Sequence, residues 1–93
     1  MKLFLYSVRD RLLGVYLSPF PSRGDVDAVR QVSASLSDPS MAQTPVGQNP
    51  QDFDLCFLGV FDDETGIITS DSPRILSNVA DLRKSVGSST VSS

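Results

Sequence analysis

Residues 53–68, FDLCFLGVFDDETGII, decide the fold of this chain. An apolar run enters an acidic turn that ends in Gly66, and a second apolar run starts at Ile67. Side chains alternate between the two faces of a strand. The run therefore puts Phe53, Leu55, Phe57, Gly59 and Phe61 on one face and Cys56, Leu58 and Val60 on the other. A strand apolar on both faces requires cover on both. Gly59 interrupts the aromatic face, as a bulge or a close backbone approach does. Asp62, Asp63, Glu64, Thr65 and Gly66 form the connection, with Gly66 supplying the positive φ of a tight hairpin. The turn residues Asp62, Asp63 and Gly66 are read as structural. The acids lack the alternating twelve-residue ligand pattern of a calcium loop, and an exposed turn offers no cleft for paired carboxylates.

Working outward, residues 2–8 alternate Leu3 and Leu5 against Phe4, Tyr6 and Val8, which predicts a strand. Residues 9–12 read as a polar turn and 13–20 as a second strand. Pro19 and Pro21 put the end of that strand at a sheet edge. Asp25 is a suitable N-cap for a helix to about Leu36, with Val26, Val29, Val32 and Leu36 as its apolar stripe and Asp38-Pro39 as its stop. Residues 38–52 hold three prolines and a glycine and read as a loop, mobile at its centre. Ser72-Pro73 resembles an N-cap followed by Pro at the first helical position, so a second helix is expected over 73–85. The expected class is α+β, in the order ββα-ββα: a four-stranded, mostly antiparallel sheet with two helices. Residues 1–85 form one domain, and 86–93 a disordered polar tail.

Composition narrows the function classes. The chain has 93 residues, 11 acids, 8 bases and a formal charge of −3, which does not suit a protein that coats nucleic acid by bulk charge. It has no histidine, so histidine-based catalysis and histidine metal sites are excluded. Its one cysteine, Cys56, sits in an apolar strand and reads as a small hydrophobe. No nucleophile–base pair and no phosphate-cradling glycine loop are present, so no enzyme, cofactor or metal is expected. No run approaches the ~20 apolar residues of a membrane span. Arg9 and Asp10 interrupt the apolar start before it reaches signal-peptide length.

NPQDFDLCFLGVFDDETGII, with Pro50, Asp52, Phe53, Leu55, Gly59, Phe61, Asp62, Asp63, Thr65 and Gly66 at the matching positions, resembles the small nonstructural protein of gokushovirus-type microviruses. These are small bacteriophages with circular single-stranded DNA. MKLFLYSVRDRLLGVYLSPF and GDVDAVRQVSASLSDP resemble the opening hairpin and helix of that family, and the likeness covers roughly residues 1–83. It implies a nonstructural role in single-stranded DNA replication and packaging, with single-stranded DNA binding, in the host bacterial cytoplasm. It carries no catalytic residues.

On that reading Arg9, Arg11, Arg23 and Arg30 meet phosphates, and Tyr6 and Tyr16 form a stacking platform. The first 30 residues hold these four arginines against three acids, so the N-terminal third is expected to be basic, with the acidic hairpin kept away from DNA. The alternative is an oligomeric assembly protein that contacts phage capsid or replication proteins without binding DNA. A homo-oligomer is expected, because Phe4, Tyr6, Cys56, Leu58 and Val60, read as one face, leave more apolar surface than two short helices can cover.

Overall fold

A computed structural model describes residues 1–82. The chain runs β1 (Lys2–Asp10), β2 (Val15–Tyr16), β3 (Phe20–Ser22), α1 (Asp25–Leu36), α2 (Pro45–Gln48), β4 (Phe53–Asp62) and β5 (Ile68–Asn78). The strands make one five-stranded sheet in the order β2-β1-β4-β5, with β3 also on β1, and every pairing is antiparallel.

This corrects the expected ββα-ββα arrangement of four strands and two helices. The described residues hold five strands and one substantial helix. The segment from Pro73 is strand, not the expected helix: β5 continues to Asn78, and the described residues beyond it, 79–82, are helical. Pro73 is tolerated because β5 is an edge strand and bulges there. Gly59 sits opposite Ser70 while Phe57 sits opposite Arg74, so residues 71–73 have no partner in β4. The true cap is Asn78, whose Oδ1 accepts from Ala80 N at 3.1 Å. The remainder of the expected helix and the 86–93 tail lie outside the described residues.

The expected 13–20 strand is also two short pieces, β2 and β3, broken at residues 17–19. The 38–52 loop is a succession of short helical turns at Pro39–Gln43, Pro45–Gln48 and Pro50–Asp52. Each opens with a proline, which the first turn accepts because its N–H would lack a helical partner. Asp38 and Thr44 cap the first two by accepting from Ser40 N and Gly47 N.

β4 carries the feature that sets the two faces. Tyr6 lies opposite Phe57 and Leu5 opposite Gly59, which leaves Leu58 as an extra residue. One inserted residue reverses the alternation beyond it. Phe53, Leu55 and Phe57 therefore share a face with Tyr6 and Val8. Past the bulge it is Val60 that joins Phe4, while Gly59 and Phe61 pass to the side of Leu3 and Leu5. The expected single face from Phe53 to Phe61 thus ends at Phe57, and Cys56 lies opposite Phe4, Tyr6 and Val60 rather than with them. A Cβ on Gly59 would collide with the Thr69 carbonyl oxygen and stand 3.0 Å from Ser70 Cα, so glycine permits β5 to close on β4.

The core lies between this sheet face and α1. Tyr6, Leu55 and Val79 are wholly buried, joined by Ala28, Val32, Phe53 and Leu82. Each large apolar side chain removed from water contributes about 1.5–3 kcal/mol. Ala28 and Val32 carry the buried stripe of α1, while Val26, expected in it, is exposed. Gly24, with extended backbone, occupies the N-cap position in place of Asp25, which is the first helical residue.

Candidate nucleic-acid interface

The four arginines fall into two pairs at opposite ends of β1. At its C-terminal end Arg9 pairs with Tyr16 across the β1–β2 ladder. The Arg9 guanidinium carbon lies 5.8 Å from the Tyr16 ring centroid. Tyr16 is 42% exposed, so its ring is available to a base. The connection between β1 and β2 is built by Asp10, whose carboxylate accepts from Leu12 N at 2.9 Å and Leu13 N at 3.1 Å, and by Gly14 at φ 70. Arg11 is already engaged: Nε stands 3.7 Å from the Asp54 carboxylate and Nη1 donates to the Gln51 carbonyl at 3.3 Å.

The second pair lies at the other end. Ser22 is opposite Phe4, so Arg23 leaves β3 about 17 Å along β1 from Arg9. Arg30 projects from α1, one turn beyond Asp27. Arg23, Asp27, Arg30, Gln31, Leu3 and Ser22 line a groove of about 370 Å³. Both arginines are exposed, and neither has an ion-pair partner among the described residues. Ser22 in the same wall is 5% exposed, and its Oγ, closed off from solvent, has no hydrogen-bond partner among the described residues. Two cations against one carboxylate leave the groove positive.

Tyr6 is not part of any exposed platform. It is fully buried, and its hydroxyl donates to Asp25 Oδ1 at 2.7 Å. Burial, then the bond to Asp25, pushes its hydroxyl well above the usual tyrosine range. The other Asp25 oxygen accepts from Arg74 Nη2 at 3.3 Å, and Arg74 lies 5.1 Å over the Phe57 ring. Asp25, expected as a cap, thus ties α1 to β1 and to β5.

The acidic turn is organised by its own backbone. Asp62 N donates to the Ile67 carbonyl and Gly66 N to the Asp62 carbonyl, Asp62 Oδ1 accepts from Glu64 N at 2.9 Å, and Gly66 takes φ 75. Asp63 accepts from the Met1 amine at 2.9 Å and holds that amine above its ordinary range. Lys2 pairs with Asp62, so the acids sit at the β1 end that also bears Ser22 and Arg23, on the opposite side of the strand. The expected separation of acidic hairpin from basic N-terminal third therefore holds only for Arg9 and Arg11.

Cys56 is buried, and burial raises its thiol above the usual range. No cluster of three or more His, Cys, Asp or Glu side chains fit to hold a metal occurs among the described residues. No helix among them is long and apolar enough to cross a membrane. The sequence pointed to the arginines but not to Ser22, since nothing in a short Ser-Arg-Gly segment signals a buried hydroxyl. Leu12 lies in a turn as expected, but Leu13, expected to start a strand, lies in that turn too, over residues 11–14, and the two leucines are 77% and 74% exposed at its tip.

The family model for the phage ORF5 protein matches residues 3–82. Protein ORF5 of Chlamydia phage 1, a gokushovirus-type microvirus, is 35% identical over 68 residues, covering 71% of this chain and 70% of that protein. No solved structure matches. A matched span that includes every strand of the sheet, with a relative of this identity and coverage, shows that the chain belongs to the phage ORF5 protein family.

Proposed function

We propose that the protein binds single-stranded DNA weakly, as a nonstructural phage protein acting in genome replication or packaging in the infected host cell. The observation that carries this reading is the Arg23–Arg30 groove: two exposed arginines without ion partners among the described residues line it with a single carboxylate, Asp27. A phosphate oxygen suits such a wall, because two exposed guanidinium groups can both donate to it. The exposed Tyr16 ring with Arg9 beside it supplies a stacking surface about 17 Å away along β1, within reach of one extended strand. The role is binding and carries no bond-making chemistry. With a net charge of −3 the affinity is modest and steeply dependent on salt.

Fluorescence anisotropy of a labelled single-stranded oligonucleotide, titrated at rising salt, tests this. Binding at low ionic strength that fades steeply with salt supports the reading; a flat signal at the lowest salt refutes it. The second reading, an assembly protein that contacts other phage proteins or itself, draws on a different observation: the exposed apolar hairpin at residues 12–17. It becomes the leading account if no DNA binding is found.

A further inference from the structure

Where α1 begins, a recess of about 280 Å³ opens on the helix-bearing face of the sheet, lined by Phe4, Tyr6, Gly24, Asp25, Phe57 and Arg74. Phe4 and Phe57 stay half-buried at the margin of the core, with ring centroids 6.3 Å apart and planes inclined at 50°. The Arg74 guanidinium carbon stands 5.1 Å from the Phe57 ring centroid, and Arg74 Nη2 donates to Asp25 at 3.3 Å. The recess adjoins the Arg23–Arg30 groove. Ser22, in the wall of that groove, lies opposite Phe4, and the consecutive residues Arg23 and Gly24 line one cavity each. The space beside Gly24 is open, since a Cβ there would meet no atom within 4 Å.

We propose that this recess takes one unstacked nucleobase of the strand whose phosphates meet Arg23 and Arg30, with Phe4 as the stacking ring. The inference rests on the DNA-binding reading and adds a base-contacting half to the same site. Three observations favour a nucleobase as the occupant. Aromatic rings and guanidinium planes are the surfaces on which splayed bases stack, and the recess holds both. Arg74 covers Phe57, which leaves Phe4 as the ring to stack on. The volume falls just below the ~300–1,000 Å³ of sites for drug-sized ligands, which suits a single planar ring system. Phe4 is one strand spacing, about 4.8 Å, from Ser22, so a nucleotide held at Arg23 has its base, or that of its neighbour, at the mouth of the recess. A base paired in a duplex is stacked between its neighbours and cannot enter, so the recess selects single strands. Asp25 already accepts from Tyr6 and Arg74, so stacking rather than edge hydrogen bonding holds the base, and binding tolerates sequence.

Two variants of the full chain test it. Phe4→Leu keeps an apolar side chain and removes the ring. In fluorescence anisotropy it should bind a labelled single-stranded oligonucleotide about five-fold or more weakly than the wild type does. Its salt slope should be unchanged, because no phosphate contact is lost. An oligonucleotide of equal length that lacks bases should bind Phe4→Leu and the wild type alike. The chain has no tryptophan, so Phe4→Trp places a lone reporter in the recess. Its emission should be quenched by the single strand and left unchanged by the base-free strand or a duplex. If the wild type binds the single strand but Phe4→Leu binds it equally well, or Phe4→Trp emission stays constant at saturation, the recess holds no base and the phosphate groove stands without it. Equal weakening of the normal and base-free strands in Phe4→Leu also overturns the proposal, since it marks damage to the fold rather than lost stacking. No binding by the wild type overturns the DNA reading and this inference with it.

Discussion

Replacing Gly59 with alanine isolates the closure of β5 on β4. Gly59 is buried in the sheet. A methyl group there would overlap the Thr69 carbonyl oxygen, lie 3.3 Å from that carbonyl's carbon and 3.0 Å from Ser70 Cα. All three atoms belong to backbone, so no flexible side chain can move aside. Overpacking of this kind costs about 1–3 kcal/mol. A domain of 60–100 residues loses roughly 4–8 °C of Tm for each kcal/mol, so Gly59→Ala should melt at least about 4 °C lower. The damage should also be local. Hydrogen exchange should quicken at amides of the β4–β5 ladder around residues 68–70, while the β1–β4 ladder near Val8 and Leu55 keeps its protection. A melt within 1 °C of wild type (roughly 0.2 kcal/mol on that scale) would refute the close approach, as would protection lost evenly over the whole sheet.

The remaining predictions concern the turn and the tyrosine. Gly66→Val should destabilise markedly, because φ 75 is a conformation that a β-branched residue resists. Asp63→Asn should shift the melt far less, since it alters only an exposed contact with Met1; equal losses in a paired thermal melt would overturn the structural reading of the turn. Tyr6 should ionise above the ordinary tyrosine value in the native protein, and Asp25→Asn should lower that value, as absorbance near 295 nm during alkaline titration can show. The sign follows from linkage. A folded-state value raised above the unfolded one contributes stability below about pH 10 that is lost as pH rises further. Native-state ionisation of Tyr6 at or below the ordinary value would contradict its burial against Asp25.

Much of the fold was legible where local pattern and tertiary context agree. Alternation in residues 2–8 and 53–62 gave β1 and β4, and the 26–36 stripe gave α1. Gly66 announced its turn because only a positive φ closes it there. β5 was misread because Ser72-Pro73 imitates a helix start, and Ile75, Leu76, Val79 and Leu82 fall at helical spacing. What decides the matter is the β4 partner strand, together with an Asn78 side chain that also donates to the Gln51 and Phe53 carbonyls and to Asp54. None of these is local in sequence. The same limit applied to the site. The arginines were visible, but the bulge at Leu58, the burial of Tyr6 and the engagement of Arg11 by Asp54 depend on register. They move the proposed phosphate contacts toward Arg23 and Arg30.

The proposed contact of Arg23 and Arg30 with single-stranded DNA is best tested by the salt dependence of binding in two double variants. Each phosphate contact contributes about 0.7 to the log–log slope for single strands, so Arg23→Ala with Arg30→Ala should flatten it by about 1.4 and weaken binding. Arg9→Ala with Arg11→Ala should weaken binding but flatten the slope less, because Arg11 already neutralises Asp54. If the Arg23/Arg30 variant binds as the wild type does, with the same slope, the groove is not the phosphate site. If the wild type itself does not bind at low salt, the DNA role is wrong.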